Sequence, residues 1–171
     1  MAIRLEKADI TQLKVDAIVN AANSSLCGGG GVDGAIHRAA GKELLEVCRS
    51  LGGCDAGHAK ITAGFNLPAR YIIHTVGPVW YGGFKNEAAL LQSCYEETLN
   101  LAKQHHIKSI AFPSISCGSY RYPIDQAARI AIETIQSFLV KEGDVFDVIL
   151  VNFDEKTHRQ YQRVFTELRD D

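Results

Sequence analysis

The chain has 171 residues, 46% hydrophobic and 22% charged, with 18 Lys and Arg against 20 Asp and Glu for a formal net charge of −2. That length suits one ordinary domain, able to bury roughly 70% of its unfolded surface, and the composition excludes a disordered chain and a bilayer span, which needs an apolar run of roughly 20 residues. Balanced charge without a Lys/Arg run argues against a nucleic-acid groove, whose affinity comes mainly from a basic patch, and the charged start MAIRLEKADI lacks a signal peptide's apolar core, so a cytoplasmic location is expected.

Ile3 to Lys7 alternates apolar and charged residues and reads as a short strand, with Asp9 and Thr11 in the turn behind it. Ala17 to Ala21 reads as a second, buried strand, and Asn20, Asn23, Ser24 and Ser25 supply turn-forming side chains at and beyond its end. Gly28 to Gly31 follow, then Asp33 and GAIHRAAG, with Ile36 and Ala40 at helical spacing and Gly41 as the stop. Lys42 to Leu51 is a second helical stretch, ended by Gly52 and Gly53. His58 to Phe65 and Arg70 to Val76 read as two strands joined through Asn66-Leu67-Pro68. Asn86 to His106 is the clearest helix, with Leu91, Cys94, Tyr95, Thr98, Leu101 and Ala102 on one face. Ser109 to Phe112 is a short buried strand running into a second loop, Pro113 to Tyr120. Pro123 suits the first position of the next helix, whose apolar face is Ile124, Ala127, Ala128, Ala131, Ile135, Phe138 and Leu139, and Gly143 ends it. Val145 to Phe153 is the last strand, and Tyr161, Val164, Phe165 and Leu168 stripe a closing helix.

Strands and helices alternate without a linker, repeat or low-complexity segment, which predicts one α/β domain in three layers around a mixed sheet. Parallel neighbouring strands would bring the loops after Asn20 and after Phe112 to one rim, where α/β sheets keep their ligand sites. Gly28 to Gly31 carry no Cβ, so their backbone can approach an anion with several N–H groups pointing inward, and a diphosphate is the natural guest. Taken singly, the glycines also suit a flexible loop, Asn20 and Asn23 turn formers and Asp33 an N-cap. Gly29, Gly31 and Gly34 formally match G-x-G-x-x-G, with Asp55 about twenty residues on, but several residues separate the strand from the first glycine and no βαβ unit follows, so the dinucleotide fingerprint is rejected. No G-K-[ST] of a P-loop is present.

Five cysteines, at 27, 48, 54, 94 and 117, form no C-x-x-C pair and fit reduced, mostly buried thiols. Cys54 with His58, or His74 alone, offers too few ligands for a zinc site, so no metal is expected. Cys27 and Cys117 lie in the two loops assigned to one ligand, where a redox role would require the two thiols to meet.

VDAIVNAANSSL followed by GGGGVDGAIHRAAG, then IIHTVGPVW and FPSISCG-S-Y-x-YP, resembles the macrodomains, specifically the MacroD-type ADP-ribosyl hydrolases and their O-acetyl-ADP-ribose deacetylase relatives, over nearly the whole chain. The resemblance implies a three-layer α/β/α macrodomain with a mostly parallel sheet, 1–171, acting on ADP-ribose esters without cofactor or metal. Asp9 and the Ile10 backbone would take the adenine, with Phe153 against its face. Gly28, Gly29, Gly30, Gly31 and Val32, with Ser114, Ile115, Ser116, Cys117, Gly118, Ser119 and Tyr120, would hold the diphosphate through backbone donors. Asn20 belongs to the same predicted substrate-binding set. Asn23 and Asp33 are the implied catalytic pair, the amide orienting ribose hydroxyls and the carboxylate acting as general base on water, while Tyr120 packs on the distal ribose.

Substrates would be ADP-ribose esters, among them Asp- and Glu-modified proteins and O-acetyl-ADP-ribose, and the chain is expected to be a monomer. A reader that binds ADP-ribose without turnover is the alternative, which the presence of both Asn23 and Asp33 disfavours. The chain departs from the family pattern at four positions: Ala8 replaces glycine, Cys117 threonine, Ser119 an aliphatic residue and Arg121 glycine. Ala8 would cost affinity if that position needed a positive φ, and Arg121 lies in solvent or reaches toward the phosphates or an acidic substrate.

Overall fold

The computed structural model describes residues 3–143 and 146–169, so Val145, the expected start of the last strand, lies outside the described residues. Its elements are β1 (Ile3–Lys7), a single 3-10 turn (Ile10–Gln12), β2 (Ala17–Ala22), α1 (Gly31–Ala40), α2 (Lys42–Leu51), β3 (Ala59–Ala63), β4 (Tyr71–Val76), α3 (Glu87–Gln104), β5 (Ser109–Phe112), α4 (Ile124–Glu142), β6 (Asp147–Asn152) and α5 (Glu155–Arg169). One six-stranded sheet runs in the order β1-β6-β5-β2-β4-β3. Among the described residues, only the pairing of β3 with β4 is antiparallel, so the sheet is mixed and mostly parallel.

Strand periodicity sorts the core into two layers. Ala17 and Val19 of β2 face Leu91, Tyr95 and Leu99 of α3, the small residues of α4, and Tyr161 and Val164 of α5. Ile18 and Ala22, on the other face, meet Ile36 and Ala40 of α1 with Leu44 and Cys48 of α2. On α3 the buried stripe takes Leu99, while Leu101, assigned to the core from its spacing, is only half-buried at the margin. Pro123 stands just before α4 as its cap, where its missing N–H costs nothing.

Chain direction creates the opening. β2 and β5 are parallel neighbours, yet the chain leaves β2 for α1 on one face and leaves β5 for α4 on the other. Loops that part in this way open a crevice at the carboxyl ends of the strands.

Candidate active site

A cavity of about 840 Å³ fills that crevice. The turn after β1, the end of β2, the glycine loop with the first turns of α1, the loop after β5 and the residues after β6 form its walls.

The first wall starts at Asn23, whose Nδ2 donates to the Gly28 carbonyl at 2.8 Å while its Oδ1 accepts from the Ser25 hydroxyl at 2.7 Å. The amide is thereby fixed before any guest arrives. Leu26, wholly buried with a φ of 62°, pins the loop into the α1–α2 layer. Gly28 and Gly31 take φ of 96° and 56°, conformations that suit a residue without Cβ. Gly34 fits for a different reason: a Cβ there would stand 2.5 Å from the Gly29 carbonyl oxygen. That close approach seats the loop on the helix.

Asp33 is the third residue of α1, and its carboxylate is buried at 5% exposure. The N-cap position belongs to Gly30, which makes no side-chain cap, so Asp33 is free for another task. Its Oδ1 accepts from Asn20 Nδ2 at 2.8 Å and lies 3.5 Å from His37 Nε2. Its Oδ2 and the Asn23 Nδ2 converge on Gly29, standing 3.1 and 3.3 Å from where a Cβ of that residue would be. A side chain at position 29 would fill the space between them.

Behind Asp33 the contacts continue: Asn20 Nδ2 lies 3.1 Å from His74 Nδ1, and His74 Nε2 lies 2.9 Å from Thr62 Oγ1. Burial, with a smaller contribution from His37, pushes the His74 imidazole down to about 4. Its ring is neutral at neutral pH.

The second wall is the loop 113–121. Ser116 and Arg121 take φ of 67° and 63°, and the turn closes through Tyr122 N–H to the Ser116 carbonyl and Arg121 N–H to the Gly118 carbonyl, both at 2.9 Å. Trp80 N–H donates to the Tyr120 carbonyl at 2.8 Å, and the Trp80 ring packs against Tyr122 at a tilt of 49°, with 4.7 Å between centroids. Gly77 beneath it leaves room for the Ser116 side chain, which a Cβ would strike. At the far end, Asp9 caps the 3-10 turn through Oδ1, which accepts from the Thr11 N–H at 3.0 Å and the Thr11 hydroxyl at 2.7 Å, leaving Oδ2 uncommitted. Phe153 stands 77% exposed on the rim.

Of the residues expected here from the sequence, Asp9, Ile10, Asn23, Gly29, Gly30, Gly31, Val32, Asp33, Ser114, Ile115, Ser116, Gly118, Ser119, Tyr120 and Phe153 line the cavity. Three do not. Asn20 is wholly buried one layer behind Asp33, because alternation along β2 turns it toward α1. Gly28 meets the site only through its carbonyl, which serves Asn23. Cys117 turns its thiol inward to the Ile115 carbonyl at 3.4 Å, and burial pushes it up to about 12; with Cys27 exposed outside the cavity wall, the two do not meet as a redox pair in the cleft. Ala8 lines the cavity without a positive φ, so replacing glycine there imposes no backbone strain. Arg121 is exposed and off the wall. Among the described residues, no three His, Cys, Asp or Glu side chains converge as a metal site.

The sequence reading missed Arg38 and Asp154 on the wall, and His37, Thr62 and His74 behind it. His37 was legible, since it lies four residues after Asp33 on one helix. Thr62 and His74 were not, because only strand register brings them to Asp33.

A nucleotide-sized cleft at the switch point of a mostly parallel sheet, with a glycine loop opening a helix and an amide–carboxylate pair at its base, defines a ligand-binding three-layer α/β domain. The chain belongs to the Macro domain family, whose model matches residues 19–131. It is 61% identical to a macro domain-containing protein of Chlorobaculum tepidum, over 92% of this chain and 91% of that one. It is 52% identical to an O-acetyl-ADP-ribose deacetylase of Citrobacter koseri, over 99% and 98%. Among solved structures, the Trypanosoma brucei macrodomain in complex with ADP-ribose superposes with a TM-score of 0.91 at 42% identity, covering 96% of this chain and 69% of that one.

Proposed function

We propose that this chain binds ADP-ribose in the cleft and hydrolyses its acyl esters, releasing acetate from O-acetyl-ADP-ribose and ADP-ribose from modified Asp and Glu side chains. The observation that carries the reading is the convergence of Asp33 Oδ2 and Asn23 Nδ2 on Gly29 inside a cleft of about 840 Å³. Adenine lies at the Asp9, Ile10 and Phe153 end, the diphosphate between the two loops, and the distal ribose at Asn23, Asp33 and Tyr120. The Citrobacter koseri deacetylase and the ADP-ribose complex of the Trypanosoma brucei relative support this choice of ligand.

The chemistry follows from the two side chains. Asn23 both donates and accepts, so it orients ribose hydroxyls. Asp33 takes a proton from water as the water oxygen bonds to the acyl carbon. The ester C–O bond breaks, and the proton passes to the departing ribose oxygen. Free acid and ADP-ribose leave.

The test pairs calorimetric ADP-ribose binding with product release from O-acetyl-ADP-ribose and from an Asp/Glu-modified protein, for the native chain and Asp33→Ala. Release by the native chain, slowed roughly 10²-fold or more in a variant that still binds, is the expected result. Binding without release by either would make the chain a reader, and absence of binding would remove the ligand assignment.

A further inference from the structure

Three polar side chains interrupt the apolar layer between the sheet and α1–α2. Asn20, His74 and Thr62 share a sheet face with Ile18, Ile72 and Val76, and they are 0%, 0% and 7% exposed. Asn20 and His74 stand directly opposite in the β2–β4 register, and Thr62 pairs with Ile72 two positions from His74. Unpaired, such groups would be costly in an apolar layer.

Their donors and acceptors admit one arrangement. The Asp33 carboxylate only accepts, so Asn20 must turn Nδ2 toward it at 2.8 Å. The second hydrogen of that amide meets His74 Nδ1 at 3.1 Å, which must then be the bare, accepting nitrogen. The ring's single proton sits on Nε2, 2.9 Å from Thr62 Oγ1. Thr62 is able to receive it because its own hydrogen goes to the Ala63 carbonyl at 3.1 Å. A threonine on the edge strand thus sets the tautomer of a histidine, and the histidine sets the face of an amide.

We propose that Thr62 and His74 are positioning residues for Asp33: they lock the Asn20 amide so that it holds Oδ1 and leaves Oδ2 directed at the cleft. The inference rests on the catalytic reading of Asp33 given above. The opposite tautomer would present Nδ1–H to Asn20, turn the amide over and set its oxygen against the carboxylate. Two acceptors cannot share that contact. Asp33 would then swing away or take up a proton, and in either state it no longer serves as a base.

Thr62→Val and Thr62→Ser in the full chain separate this role from packing. Valine keeps the shape and removes the acceptor, whereas serine keeps the hydroxyl and removes a methyl. In O-acetyl-ADP-ribose hydrolysis, Thr62→Val should lower kcat roughly ten- to a hundredfold while KM and ADP-ribose affinity stay within about twofold, and Thr62→Ser should retain kcat within about threefold. A packing role would reverse that order. Nitrogen-15 spectra of the His74 ring should show Nε2 protonated in the native chain and a mixture of tautomers in Thr62→Val.

A native ring protonated at Nδ1, or full kcat in Thr62→Val, overturns the proposal. If the native chain binds ADP-ribose but turns nothing over, the hydrolase reading fails on its own, and the ring spectra still decide whether Thr62 sets the tautomer. Should Thr62→Val not fold, His74→Asn supplies the same contrast against His74→Leu, because the asparagine oxygen still accepts from Asn20.

Discussion

Gly34→Ala tests how closely the glycine loop is seated on α1. The new Cβ would stand 2.5 Å from the Gly29 carbonyl oxygen and 3.1 Å from Arg38 Nη1. The arginine tip can swing aside, but the carbonyl is backbone. Restoring an ordinary contact of 3.4 Å requires loop and helix to part by about 0.9 Å. Alanine brings about 1 kcal/mol of helix propensity, against which overpacking costs about 1–3 kcal/mol, so net stability falls by no more than about 2 kcal/mol. Binding should suffer more. A Cβ on Gly29 would stand 3.1 Å from Asp33 Oδ2 and 3.3 Å from Asn23 Nδ2, so the loop sits against both groups, and a shift of about 0.9 Å exceeds the distance range that hydrogen bonds to a bound diphosphate tolerate. Losing one charge-assisted bond of about 1.5–3 kcal/mol weakens ADP-ribose binding roughly ten- to a hundredfold. Calorimetry beside a thermal melt measures both. Affinity within about threefold of native, on a chain that melts no lower, would refute the seating argument.

Phe153→Ala should weaken ADP-ribose binding by roughly tenfold, the lower part of what base stacking on an aromatic side chain contributes; because Phe153 is 77% exposed, the melting temperature should not move, and unchanged affinity would remove Phe153 from the adenine end. Glu87 accepts the N–H groups of Tyr81, Gly83 and Lys85 at 2.8, 2.9 and 2.6 Å; burial pushes its carboxyl up, but these donors outweigh it and hold it at about 2, against an ordinary value of 4.5. Its stabilising contribution is therefore complete above pH 4.5 and disappears as pH falls toward 2. Glu87→Gln should melt lower than native at pH 7, and the two curves should draw together across that acid window. In alkylation by iodoacetamide at neutral pH, followed by peptide mass spectrometry, exposed Cys27 should be modified while Cys48 and Cys117, pushed by burial up to about 11 and about 12, stay unmodified; early labelling of Cys117 would contradict its inward orientation.

The amphipathic helices and buried strands were legible because a single period decides them. The stripe from Ala127 to Leu139 faces the sheet as its spacing requires, and Ser109 to Phe112 is a strand with the boundaries expected. Layer order was legible too, since alternation of strands and helices leaves few topologies. Sequence spacing could not show which side a short residue faces. Asn20 reads as a turn former beside a ligand, yet strand parity turns it under α1, where it holds Asp33 rather than a guest. Cys117 stands within a loop that lines the cleft, but a loop can alternate its side chains as a strand does, and this one goes inward. Thr62 is separated from His74 by 12 residues, and nothing short of the β3–β4 register connects them.

The charge of the cleft explains which substitutions it can absorb. Asp9, Asp33 and Asp154 line it against a single guanidinium, Arg38, so at range the wall does not attract an anion. A diphosphate would have to be held by short-range donors, the N–H groups of the glycine loop and of the loop after β5. Backbone donors are indifferent to the side chain attached to them. Cys117 in place of threonine and Ser119 in place of an aliphatic residue therefore alter the loop's packing without removing a donor. Arg121 is the harder substitution, for at φ 63° it occupies a conformation that glycine enters without strain. The hydrogen bond from its N–H to the Gly118 carbonyl helps hold it there. Side-chain identity becomes critical only where Asn23 and Asp33 converge, because there the donor and the acceptor are themselves side chains.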